Sequence, residues 1–279
     1  MTQKRKRPKS LYQRIKENTK IQTSATVILP VLLGVVIVVL WQTQTLHHLF
    51  RTDTFTLPLL DRIGSILFDN MDKIWENVVA TMVVALAGLG LGSLLGYGIA
   101  MLAALCPKIG KGGLSVIGAF ASIPVVALAP VMNNWTRDIS DIASVRSMVA
   151  KILVVMLVAA ANMGLNAYRG LTELKPYSMD LMATYAAKKR TTFLKLQLPN
   201  SVPYIFVALK VSVPASIMTA IVSEYFAEYI IGVGRQIREN IVLSQYSTAW
   251  AYIATACIMG VVSYVALMIV QSILLRKYH

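Results

Sequence analysis

The chain has 279 residues, 56% of them hydrophobic, with a mean hydropathy of +0.61 and a formal net charge of +14. That combination excludes an ordinary soluble domain and points to an integral membrane protein, with room for one membrane domain and little else. Cys106 and Cys257 lie in or beside apolar stretches, offer no metal spacing and no disulfide framework, and read as small packing residues.

Residues 1–23 form a basic tail: Lys4, Arg5, Lys6, Arg7, Lys9, Arg14, Lys16 and Lys20 stand against Glu17 alone. The tail abuts a membrane span, so cytoplasmic retention and attraction to anionic membrane lipid explain it better than nucleic-acid binding. Residues 24–76 hold a first span, about Ser24 to Trp41, and an outer amphipathic segment whose apolar face is Leu59, Ile63, Ile66 and Leu67. No small-residue cleavage site follows the span, since Gln42-Thr43-Gln44-Thr45 comes instead, and Trp41 reads as an interfacial anchor. His47 and His48 are neighbours that do not point together on a helix, so they make no metal pair.

Residues 77–279 hold five more spans. The second, about Asn77 to Leu105, carries Gly88, Gly92 and Gly96 in a small-xxx-small register that lets helices approach closely. Pro107 to Gly113 is a turn without the phosphate-loop spacing, and no ATP site is read anywhere in the chain. The third span, about Leu114 to Met132, is broken by Pro124 and Pro130. Irregular backbone at membrane depth is tolerated where protein or a water-filled cavity covers it, so this span is either kinked or a pathway-lining helix. The fourth, about Arg146 to Leu165, has Lys151 near its outer end, within snorkelling distance. The fifth, about Val202 to Tyr225, contains Lys210 some two turns from its cytoplasmic end and closes on Glu224, with Glu228 beyond. Pro124, Pro130, Lys210 and Glu224 are the candidate residues of a translocation path. Glycine-broken Ile230-Ile231-Gly232-Val233-Gly234 precedes the sixth span, about Trp250 to Leu275.

Between the fourth and fifth spans lies a polar island, residues 170–199. Leu174, Tyr177, Leu181 and Tyr185 recur at helical spacing, predicting a short amphipathic helix with Pro176 in its first turn. Lys188, Lys189 and Arg190 follow where the helix dipole favours cations, and a second short helix ends at Pro199, predicted to stop it. Basic residues fall in the tail, at Lys108 and Lys111, from Arg169 to Lys195, and at Arg276-Lys277. In the intervening loops acids roughly balance or outnumber bases. This alternation suits six spans with both termini and the island in the cytoplasm.

The island resembles the EAA loop of bacterial ABC importer permeases, in which an acid precedes two small residues, a glycine, a phenylalanine and a Leu-Pro pair. Counting back from Leu198-Pro199, Phe193 takes the aromatic position, Ala186 the glycine position and Asp180 the acid position. Leu181 and Met182 replace the small pair, Ala183 comes one residue late, and Ala187 completes the small cluster. If the family glycine is left-handed, an alanine there costs about 1 kcal/mol, so the turn is expected to be built differently. From about Asn77 to Val233 the chain is similar to the nitrate/sulfonate/taurine branch. The matching features are Ser122-Ile123-Pro124, Ala129-Pro130, Leu198-Pro199 with Pro203, Ala208-Leu209-Lys210, and Glu224 ahead of Gly232-Val233-Gly234.

The resemblance implies an all-α membrane fold of the type I importer permease, with coupling helices between spans 4 and 5. It implies a bacterial plasma-membrane permease subunit, without catalytic residues, metal or cofactor of its own. Its partners would be cytosolic ABC ATPase subunits that bind the ATP, a second permease subunit (the same or another) and an external solute-binding protein. The solute would be small, in a branch that handles nitrate, sulfonates, bicarbonate, aromatic acids and vitamin precursors. The alternative is an ion-coupled secondary transporter using Glu224, Glu228, Lys151 or Lys210, against which stand few buried acids and no evident inverted repeat. A membrane-embedded enzyme fits least, since no Ser/His/Asp or metal-ligand cluster emerges.

Overall fold

In hydrocarbon every backbone N–H and C=O must be paired, and for apolar runs this long the helix pairs them within the segment. The structure is a computed structural model that describes residues 19–106, 112–116, 118–119, 122–227 and 229–276, and among these it is all-helical. The basic tail up to Glu17, the Pro107–Lys111 part of the glycine turn, Glu228 and Lys277 lie outside the described residues. The chain divides into two compact units, Met1–Gly64 and Ser65–His279.

In the first unit, α1 (Thr19–Gln42) exposes its apolar side chains on every face from Ile28 to Val39, as a lipid-facing helix does. A six-residue helix, α2 (Thr45–Phe50), follows. The Trp41 indole N–H donates to the Pro58 carbonyl at 2.9 Å, the His47 ring Nε2 bonds the Leu57 carbonyl at 2.6 Å, and the Leu60 amide donates to Gln42 Oε1 at 3.1 Å. Trp41 and His47 therefore fold the chain back on α1. The Thr56 amide holds the Asp53 carboxyl below its ordinary range. The next helix, α3 (Leu60–Asp69), buries Ile63 and Ile66 as its periodicity predicts.

The second unit is built on α4 (Met71–Leu105), α6 (Ala143–Thr172) and α9 (Leu198–Tyr225). Gly88 faces Val155, Gly92 faces Met156 and Ala159, and Gly96 faces Ala160 and Gly164, so α4 and α6 run parallel at glycine distance. The glycine register is a packing seam: a Cβ on Gly92 would lie 2.8 Å from that of Ala159. Gly170, near the end of α6, meets Tyr204 and Ser201 near the start of α9, while Val155 shares a core with Ile217 and Ala220; α9 is antiparallel to both. The long α11 (Tyr246–Leu275) lies at the periphery, with Val261, Val265 and Ile269 exposed.

Among the described residues, four helices are long and apolar enough to cross a membrane: Met71–Leu105, Ala143–Thr172, Lys189–Tyr225 and Tyr246–Leu274. Of the other two predicted spans, the first is α1. The third is two pieces: residues 112–116 and 118–119 are helical, the chain leaves the helix at Ser122-Ile123, and Pro124 begins α5 (Val125–Trp135) as its N-cap. Pro124 thus starts a helix, while Pro130 is carried inside one. The fifth span is longer than its sequence suggests. A four-residue helix, α8 (Lys189–Thr192), runs through a π-helical turn, Phe193–Gln197, straight into α9. Pro199 therefore does not stop the helix. Its ring would clash with a carbonyl one turn back in a regular α-helix, and here the preceding turn is the widened one, the Leu198 amide reaching the Phe193 carbonyl.

Candidate functional site

Two features stand out, at opposite ends of α9. At its start is the hairpin. The first helix is shorter than its periodicity suggests: α7 covers only Ser178–Thr184, and Tyr177 before it is left-handed, at φ 63°. Leu174 and Pro176 therefore lie outside the helix. Of the predicted apolar face only Leu181 lies inside α7, with Tyr177 and Tyr185 as its caps; all three are uncovered, Tyr177 being 82%, Leu181 56% and Tyr185 76% exposed. Asp180 sits in the first turn of α7, where the helix dipole favours an acid.

The turn after α7 is left-handed at Ala186, at φ 48°. The Ala186 amide donates to the Ala183 carbonyl at 2.9 Å and the Ala187 amide to the Met182 carbonyl at 3.0 Å. These are the two bonds of a Schellman cap, usually made by glycine. The expectation of a differently built turn is therefore corrected: alanine occupies the left-handed position, at a cost of about 1 kcal/mol that the cap's two bonds offset. Met182, Ala183 and Ala187 line a cavity of ≈ 370 Å³ beneath the hairpin, with Ala104 and Leu105 of α4 on the other wall.

Phe193 is not at the surface. It is 5% exposed and packs with Ala100, Met163, Ala167, Leu171 and Ala208. Leu198 packs against the same cluster, while Pro199 is exposed. Asn200 Nδ2 donates to the Gly170 carbonyl at 2.7 Å and the Glu173 carbonyl at 3.1 Å, and Tyr97 and Ser201 share a hydroxyl bond of 2.9 Å. The hairpin is thus anchored to the ends of α4, α6 and α9 while α7 itself buries no residue.

At the far end of α9 is a buried polar knot. Glu224 is fully buried; its Oε2 accepts from Thr81 Oγ1 at 2.9 Å and from the Gly234 amide at 3.0 Å, and its Oε1 has no partner. Thr81 Oγ1 accepts from the Val233 amide at 2.9 Å, and Asn77 Oδ1 from the Gly232 amide at 2.9 Å. Side chains of α4 and α9 thereby pair the amides that open α10 (Val233–Val242), which would otherwise be orphans. Gly232, at φ 110°, holds its α-carbon against the Glu224 carboxyl, and Gly234 lies on the Ile221 carbonyl; neither position admits a side chain.

Lys151, near enough the outer end of its span to snorkel by sequence, is instead 3% exposed, one turn from Val155 in the core. Lys210 is half-buried and lies roughly 18 Å along α9 from Leu198, at 1.5 Å per residue. Pro124 and Pro130 are exposed on α5. Pro130 lies one turn before Asn133, whose side chain reaches the Phe226 carbonyl just past Glu224, and Lys210 lies roughly 21 Å along α9 from Glu224. Asn77 and Thr81 were not singled out from the sequence, although two polar residues one turn apart at the head of an apolar span were the available signal. No group of three metal-ligating side chains occurs among the described residues.

Residues 88–279 match the model of the family described as the binding-protein-dependent transport system inner membrane component. The formylaminopyrimidine transport permease protein ThiX of Halalkalibacterium halodurans is 25% identical over 201 residues, 72% of this chain and 77% of that protein. A probable ABC transporter permease protein of Haemophilus influenzae is 25% identical over 196 residues, 70% and 76% of the two chains. The nitrate import permease protein NrtB of Leptolyngbya laminosa is 26% identical over 146 residues, 52% of this chain and 47% of that one. Among solved structures, a chain of the MetNI methionine ABC transporter, in an inward-facing crystal form, superposes with a TM-score of 0.57 at 17% identity, covering 75% of this chain and 95% of that one. The fold is the type I importer fold that the Asp180–Pro199 pattern implied.

Proposed function

Because this chain belongs to the binding-protein-dependent transport permeases, we propose that it forms the translocation path for a small solute, driven by a separate cytosolic ATPase that grips the 170–199 hairpin. The observation that carries this reading is the uncovered apolar face of α7, Tyr177, Leu181 and Tyr185, held on a capped turn and joined through a continuous helix to the bundle. Such a face supplies burial to a partner groove, while exposed Lys188, Lys189 and Arg190 supply orientation. Movement of the hairpin passes through Phe193 into the cluster that joins α4, α6 and α9, so the bundle is the bistable element.

The alternating charge of the loops supports a cytoplasmic hairpin and cytoplasmic termini, in a bacterial plasma membrane. Two relatives are named for their cargo, a formylaminopyrimidine and nitrate, and these share little chemistry beyond being small and polar. The solute here is assigned to that broad class, delivered by an external binding protein to a complex of two permeases and two ATPases.

The test is transport by the complex reconstituted in vesicles. Uptake that needs internal ATP and collapses without the ATPase supports the proposal. Uptake by this chain alone, under an ion gradient and without nucleotide, would replace it with the secondary-transporter reading.

A further inference from the structure

An ionisable side chain buried at membrane depth is costly and calls for a role. Glu224 is such a residue, and it lies at the end of α9 remote from the hairpin, roughly 39 Å along the axis from Leu198. Its carboxylate is the point where α4, α9 and the N-terminus of α10 meet, through Thr81 and Gly234. A fourth helix joins nearby: Asn133 Nδ2 of α5 donates to the Phe226 carbonyl, just past the end of α9, at 3.1 Å.

Three observations mark this knot as a contact made to be broken. Glu224 uses only one of its oxygens, and the neighbouring Ser223 hydroxyl is also buried without a partner; a half-satisfied polar network in a low dielectric is worth less than a complete one. The helix it holds is flanked by two left-handed residues, Gly232 at φ 110° and Ser244 at φ 55°, so α10 is a short element between two sharp bends. The remaining polar ties of α10 go to the segment around the end of α9: Arg235 Nη1 donates to the Ala227 carbonyl at 3.1 Å, and Arg238 lies over the Tyr225 ring at 5.8 Å. Release of the Glu224, Thr81 and Asn77 contacts would remove these polar ties of α10 to α4, leaving the apolar contact of Val233 with Ile74 and Val84 to part while α10 stays tethered beside α9.

We propose that Glu224 is a positioning residue for transport: with Thr81 it latches α10 onto α4 and closes the end of the bundle opposite the hairpin, and each transport cycle breaks and remakes this latch. The inference rests on the hairpin being driven by an ATPase, as proposed above.

The experiment measures a distance in the full complex, purified with the ATPase that accompanies it, in nanodiscs. Spin labels go on exposed Trp75 of α4 and exposed Val242 of α10, with Cys106 and Cys257 replaced by serine. Separations are read without nucleotide and with ATP plus vanadate, and ATP hydrolysis is followed in parallel. The wild type is expected to exchange between two separations differing by about 5 Å or more, the scale of a one-turn shift. Glu224→Leu, which removes the accepting oxygen at similar volume, and Thr81→Val are expected to hold the longer separation in both conditions, and Thr81→Ser to behave as wild type. Hydrolysis with an unchanged Trp75–Val242 separation in the wild type overturns the latch and leaves ATPase coupling standing. A purified chain that retains no ATPase overturns both.

Discussion

Thr81 Oγ1 and Glu224 Oε2 lie 2.9 Å apart, although 143 residues separate them in the chain. Thr81 Oγ1 accepts from the Val233 amide, and its one proton has two acceptors in reach, this carboxylate and the Asn77 carbonyl at 3.0 Å. Thr81→Val keeps the shape and removes both bonds, leaving a buried amide unpaired and the carboxylate with Gly234 alone. The expected loss is about 1–3 kcal/mol, read as a lower melting temperature of the purified chain in detergent, with Thr81→Ser restoring most of it.

The glycine seam makes a contrast within one helix. Gly92→Ala and Gly96→Ala would push methyl groups into Ala159 and the Ala160 carbonyl, whereas Gly90 and Gly98 have nothing within 4 Å. The first pair should each cost about 1–3 kcal/mol by overpacking. Gly90→Ala and Gly98→Ala should be neutral or slightly stabilising, since alanine is the better helix former. Thermal melts of the four variants, made under one detergent condition, check this; equal melting temperatures would mean that α4 and α6 are not in glycine contact.

Ala186→Gly should relieve the left-handed strain in the cap after α7 and stabilise the hairpin by about 1 kcal/mol. Hydrogen exchange at the Ala186 and Ala187 amides, the donors of the cap, should slow by roughly fivefold in the variant, following from that energy. Faster exchange would show that the turn is not left-handed.

What the sequence revealed follows from what kind of information sets each element. Span positions depend on local hydropathy, so α4, α6, α9 and α11 were legible, and so was the close approach at Gly88, Gly92 and Gly96, because small residues at helical spacing have one dominant use. Pro199 misled because proline's local preference is to end helices, and nothing in the one-dimensional pattern announces that Phe193–Gln197 widens to take it. Lys151 misled for a different reason. Whether a side chain reaches water or core depends on which helix lies opposite, and that partner is set by tertiary packing. Asn77 and Thr81 were silent because each is an ordinary polar residue until Glu224 and the α10 amides, some 150 residues away, are brought to them.

Phe193 and Leu181 separate two roles within the hairpin. Phe193→Asp places a carboxylate in the cluster of Ala100, Met163 and Leu171 and should unfold the hairpin end of the bundle. Leu181→Asp changes an exposed position and should leave the melting temperature of the isolated chain within about 1 °C of wild type, surface substitutions costing little.

The most direct test of the central claim is therefore binding of the co-purifying ATPase to nanodisc-embedded Leu181→Asp and Tyr185→Asp. If the uncovered face of α7 is the grip, each loses about 2 kcal/mol or more of affinity, roughly thirtyfold in Kd, while the fold stays intact. Wild-type affinity in both variants would contradict the account.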